Sequence, residues 1–168
     1  MLYRLFAFIR FQLSSSNQHG VHSPFVYSYI TKCLYTAPHY KIPKSHNILI
    51  KTMAYFNLCR VQLVPNNISL QKEITNHLKE VTFTITSNEL IFIDLADRAA
   101  VDEWIVHNGH IANDTVVIVN GIYRTGNSHK LWKDIKELKQ VKVTIDLFYC
   151  GLVFFRREQV KEHFKIRI

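Results

Sequence analysis

Three short strand-like runs decide most of what this chain can become: CRVQLV (59–64), LIFID (90–94) and TVVIV (115–119). CRVQLV reads as a strand, whereas LIFID is apolar without alternation, the mark of a strand covered on both faces as in parallel sheets, and TVVIV is a second such buried strand. Between and after these runs lie segments of helical spacing at about 69–79, from Asp97 to about 108 around Val101, Trp104 and Ile105, and at about 128–138. The last β-rich pair, VKVTIDLF (141–148) and GLVFFR (151–156), is joined through Tyr149, Cys150 and Gly151 and reads as a hairpin; a short basic helix is expected to close the chain. Alternating strand and helix argue for an α/β sheet, which the hairpin makes mixed. A further β-rich run, VTFTIT (81–86), is separated from LIFID by only Ser87, Asn88 and Glu89. Parallel neighbours need a crossover of about a dozen residues or more. Residues 81–86 are therefore expected to turn back antiparallel or to lie off the sheet.

The amino-terminal part is of a different kind. Residues 2–13 set Arg4 and Arg10 among Leu, Phe and Ile at near-helical spacing, and Ser14-Ser15-Ser16-Asn17 ends the run. This reads as a short amphipathic helix, docked on the core or lying on a membrane surface. Ser23-Pro24 looks like an N-cap followed by proline at the first helical position, opening a helix over about 24–35. Pro38 and Pro43 frame a loop, and another helix is expected at about 45–57. The division that follows is a basic helical segment, 1–57, packing on an α/β domain, 58–168.

Charge separates along the chain as well. The 168 residues carry a net charge of +8. Residues 1–72 hold eight Lys or Arg and no Asp or Glu, whereas the rest is balanced. The amino-terminal layer is thus either a weak polyanion-binding face or a solvated surface.

Several function classes fall away. The five glycines never stand two apart, so no G-x-G phosphate or dinucleotide loop exists. GIYRTGNS (121–128) has the placing of a phosphate loop, but Asn127 stands where the phosphate-neutralising Lys belongs. Cys33, Cys59 and Cys150 form no C-x-x-C pair and read as reduced thiols of a cytoplasmic protein. His19/His22 and His107/His110 lack the partner ligands that zinc requires, so no metal is expected. No segment approaches the roughly 20 apolar residues of a transmembrane helix.

Asp94 closes a buried strand, where open α/β sheets place ligand-binding groups. The next strand end offers Asn120, Gly121 and Tyr123. Asp94, Asn120 and Tyr123 are the candidate cofactor-binding residues, should a pocket exist there; otherwise Asp94 orders its loop. No catalytic residue can be named.

The carboxyl-terminal run VKVTIDLFYCGLVFFRREQVKEHFKIR (141–167) closely resembles the end of a bacterial family of class I S-adenosylmethionine-dependent methyltransferases. HGVHSPFV (19–26) is similar to that family's amino-terminal signature, and LIFIDLADR (90–98) and TVVIVNGIYRTGNSHKLWKDIK (115–136) to its fourth and fifth strands with the following helices. The resemblance implies a Rossmann-like, methyltransferase-type mixed sheet with an antiparallel carboxyl-terminal hairpin. It also shows departures. Where family members carry an acid and glycines after the first strand, this chain has Val64-Pro65-Asn66-Asn67. Where they carry paired carboxylates after the fifth, it has Asn120-Gly121. A segment between the first and fourth strands is also missing. The expectation is a degenerate methyltransferase-like protein without catalysis or cofactor, serving as a binding or assembly module. The alternatives are an active S-adenosylmethionine-dependent enzyme with an atypical pocket, and a basic nucleic-acid-binding module. Self-association is left open.

Overall fold

The computed structural model describes residues 2–85, 89–94, 98–107, 109 and 111–168. Seven strands form one mixed sheet in the order β2-β1-β3-β4-β6-β5-β7. The strand-like runs become β1 (Arg60–Val64), β3 (Leu90–Ile93) and β4 (Val116–Asn120), three parallel strands at the centre. Alternate residues of each face opposite sides. Val61, Leu63, Leu90, Phe92, Val116 and Ile118 enter one core; Ile91, Ile93, Val117 and Val119 enter the other.

On the first face pack α2 (Pro24–Tyr29), continued by a π-helical turn (Ile30–Leu34), then α3 (Lys44–Phe56) and α4 (Ile68–His77). Ser23 caps α2 as its sequence suggests, accepting from the Val26 amide at 3.4 Å ahead of Pro24. Tyr29 is fully buried here, and its hydroxyl is 2.7 Å from Thr52 Oγ1 of α3. The second face is covered by α1 (Leu2–Ser14), α5 (Arg98–Val101) with its π-helical continuation (Asp102–Val106), and α6 (Gly126–Glu137). Asp97 and Asn108, the expected ends of the α5 segment, lie outside the described residues. Among the described residues no helix is long and apolar enough to cross a membrane.

The hairpin forms from β5 (Val143–Asp146) and β6 (Cys150–Phe154). Its second strand returns into the sheet between β4 and β5 and is antiparallel to both. Every residue of β5 and β6 is buried, and β6 is apolar on both faces whereas β5 sets the buried polar Thr144 and Asp146 on one of its faces.

Two expectations need correction. The expected reversal is absent from the described part of 81–86, Thr86 lying outside it: β2 (Thr82–Phe83) pairs parallel to β1, with Phe83 opposite Val61. Leu90 is also opposite Val61, on the other side of β1. The crossover rule presumes that the chain must travel back along a full strand. Here β2 has two residues and ends level with the start of β3, so the two ends stand only two strand spacings apart, about 10 Å. Glu89 secures the arrangement, its Oε2 accepting from the amides of Cys59 (2.6 Å) and Arg60 (2.9 Å) while Oε1 meets Arg60 Nε at 3.0 Å. Burial pushes the Glu89 carboxyl up, but these amides and the guanidinium outweigh it and hold it below its ordinary value.

The second correction concerns the chain's close. Instead of a basic helix, Glu162–Lys165 forms β7, parallel to β5 at the sheet edge. The run EHFK is short and flanked by charge, so its composition suits a helix end; edge pairing with β5 and contact between Thr144 Oγ1 and His163 Nδ1 (2.9 Å) decide otherwise. Beyond β7 the backbone bridges to the exit of α1, through Ser16 N to Lys165 O (2.9 Å) and Arg167 N to Ser16 O (3.0 Å).

Candidate functional site

The carboxyl ends of β1, β3 and β4 share one edge of the sheet, where α/β folds commonly bind ligands. At β3 the Asp94 amide donates to Val64 O at 2.7 Å, so the loops leaving β1 and β3 start side by side. The Asp94 carboxylate is half-buried and already engaged. Asn120 Nδ2 donates to its Oδ1, and Arg124 Nη2 stands 3.9 Å from the same oxygen. Gly121 makes the second contact possible. Its φ of +72° suits glycine, and a Cβ there would lie 3.0 Å from Arg124 Nε. The missing side chain lets the guanidinium fold back over the turn toward Asp94.

The loop after β1 spends its polar groups on starting α4. Asn67 Oδ1 accepts from the Leu70 amide at 3.0 Å, and Asn66 Oδ1 accepts from Gln71 Nε2 at 2.6 Å. Thr125 does the same for α6, accepting from the Ser128 amide at 3.0 Å. The residues matching a phosphate-loop position are therefore occupied as a helix cap.

Tyr123 belongs to a different environment from Asp94. Its ring stacks on His129 (4.4 Å between centroids) and Phe148 (4.9 Å), and its hydroxyl donates to Asp146 Oδ2 at 2.7 Å. Burial, with the neighbouring carboxylate, raises the phenol far above its ordinary value. Burial likewise raises Asp146, a rise opposed by donors from the Phe148 amide and Tyr123. Of the three candidate residues, Asp94 and Asn120 are thus brought into contact. Tyr123 shares with Asn120 the wall of a cavity of about 270 Å³, which Arg4, Lys44 and Arg124 also line. Asp94 is not among the residues lining that cavity.

Helix α1 lies across this edge. Phe11, 2% exposed, packs on Phe148 (5.5 Å) and Tyr123 (6.0 Å), and Phe8 packs on Phe148 at 5.0 Å. On its other side a cavity of about 380 Å³ opens between Phe6, Arg10 and His129. A larger one, about 540 Å³, lies between the end of α2 and α3, where the buried Lys51 ammonium donates to Leu34 O (2.9 Å) and Thr36 O (2.5 Å). Burial lowers that lysine from its ordinary value. Among the described residues no group of three or more His, Cys, Asp or Glu is placed to hold a metal ion.

Sequence reasoning missed the Tyr123–Asp146 pair and the buried Lys51. A lysine within the apolar run NILIKTM was the available signal for the second; nothing local marks the first. No family model matches this chain, and no curated protein matches it.

Proposed function

We propose that this chain is a methyltransferase-like α/β scaffold that neither binds S-adenosylmethionine nor transfers a methyl group, and works as a binding or assembly module. The observation that carries the reading is the engagement of Asp94. The carboxylate best placed for a ligand hydroxyl is held by Asn120 and Arg124 from within the protein. A cationic cofactor would have to displace a guanidinium to reach it. The resemblance of residues 141–167 and the antiparallel closing hairpin support the scaffold half of the proposal. The Asn66-Asn67 helix start after β1 supports the absence of a cofactor loop.

A charge-assisted hydrogen bond contributes roughly 1.5–3 kcal/mol. Loss of two, one to the ammonium and one to the ribose, weakens binding by more than about a hundredfold. Under this reading the acid-free residues 1–72 are the contact layer toward an anionic partner. The three unpaired cysteines fit a cytoplasmic setting. Titration calorimetry with S-adenosylmethionine tests the proposal. The expected result is no saturable heat; a dissociation constant in the low micromolar range overturns it and restores the enzyme.

A further inference from the structure

Helix α1 has two apolar faces, and the fold uses one. Phe11 points into the core. Leu2, Leu5, Phe6, Ile9 and Leu13 are 71, 56, 61, 48 and 83% exposed. At 3.6 residues per turn these five fall within an arc of about 100°, centred opposite Phe11. Charged solvent-facing positions are the norm for a helix docked by one face. Five bulky apolar groups in a row there make a surface that something covers.

Charge identifies the occupant. The cavity on one side of α1 is lined by Arg4, Lys44 and Arg124, the one on the other by Arg10 and Lys165, and no Asp or Glu lines either. Arg10 therefore borders the apolar stripe on one side, while Arg4, close to Phe11 around the helix, adds positive charge beneath the other. Farther out, α6 adds Lys133 and Lys136, with Asp134 turned to Arg98 and Glu137 at the helix end. A second copy of the chain would bring like charges together along the rim that carries Arg10 and Lys165. The stripe also exposes only roughly 600 Å², less than the roughly 800 Å² per partner of a stable protein interface. An anionic bilayer meets both requirements, taking the apolar groups to the depth of the headgroup–acyl boundary and the cations at its phosphates.

We propose that α1 is an interfacial docking helix that seats this protein on membranes rich in anionic lipid. The proposal rests on the binding role argued above and names the partner of its basic layer.

The test uses the full-length protein with sedimented vesicles of phosphatidylcholine alone or with roughly a third phosphatidylserine, near physiological salt. Wild-type protein is expected to partition onto the anionic vesicles and at least tenfold less onto neutral ones. The double substitution Phe6→Ser/Ile9→Ser and, separately, Arg10→Glu are each expected to reduce partitioning at least tenfold. Circular dichroism should be unchanged, since the altered side chains are exposed; Leu5→Ser serves if the double variant misfolds. The proposal is overturned by any of four results: no partitioning of wild-type protein; partitioning unaffected by the stripe variants; tight nucleic-acid binding without vesicle binding; or a dimer that the stripe variants dissociate. Cofactor calorimetry is separate, so methyl-donor binding would refute the scaffold reading while leaving the docking result to stand or fall by itself.

Discussion

Gly151 lies on β6 between Val119 of β4 and Asp146 of β5, directly beneath the buried indole of Trp132 from α6. A Cβ at this position would stand 2.6 Å from Cζ3 and 2.7 Å from Cζ2 of Trp132, and nearer still to Cη2. Carbon atoms pack at about 3.5–4.0 Å, so Gly151→Ala requires the ring or the strand to move by about 1 Å. Neither has room, because β6 is hydrogen-bonded on both sides and Trp132 is 1% exposed. Overpacking of a tight core costs about 1–3 kcal/mol, and a rigid ring against a central strand places this case near 3. At roughly 2–4 °C per kcal/mol for a chain of this size, the thermal midpoint should fall by roughly 6–12 °C. Trp132→Phe removes the ring edge that collides, so Gly151→Ala in that background should cost less than about 1 kcal/mol. Thermal unfolding of wild type, the two single variants and the double variant measures both numbers. A fall of less than about 2 °C in the native background, or equal falls in both, would refute the packing argument.

Other consequences are equally direct. Tyr123→Phe should destabilise the fold by about 1–3 kcal/mol, since it leaves the buried Asp146 with the Phe148 amide as its remaining described donor; an unchanged denaturation midpoint would show that the hydroxyl does not serve the core. Burial, and after it Lys133, Lys165 and Lys136, lower His129 from 6.5 to about 4. The folded state favours the neutral ring, so this contribution to stability is complete above about pH 6.5 and lost as pH falls toward 4. The thermal midpoint of His129→Phe should accordingly fall less between pH 7 and pH 5 than that of wild type, and identical slopes would contradict the assignment. Labelled DNA should bind weakly and without sequence preference, losing at least tenfold in affinity between about 50 and 200 mM salt; salt-independent binding would mean that the basic layer is not the contact.

Residues 90–94 and 115–119 announced the sheet because burial on both faces leaves a continuous apolar run, a local signal, and 59–64 was legible as a strand although Arg60 and Gln62 interrupt it. The closing hairpin was readable from two β-rich runs joined by the short link Tyr149-Cys150-Gly151. β2 and β7 were misread because each is held by pairing rather than composition: Thr82–Phe83 by register against Arg60 and Val61, Glu162–Lys165 by the free edge of β5. The candidate site divides the same way. That Asp94 and Asn120 end neighbouring strands follows from strand order, and they do meet. That Arg124 folds back onto Asp94 depends on the φ of Gly121, and that Tyr123 turns to Asp146 depends on β5 lying beyond β6. Neither is written in local spacing. The outward stripe of α1 was visible as an amphipathic helix, but which face would be buried depended on Tyr123 and Phe148, more than a hundred residues away.

On the proposed reading, the carboxyl edge of this sheet serves its own loops and no methyl donor. Amide chemical shifts of isotope-labelled protein, followed while S-adenosylmethionine is added to about a hundredfold above a low-micromolar dissociation constant, read that edge residue by residue. Val64, Asn66, Asn67, Asp94 and Asn120 should keep their positions throughout. Saturable shifts at Asp94 and Asn120, at micromolar concentrations and accompanied by release of the Arg124 side chain, would contradict the account.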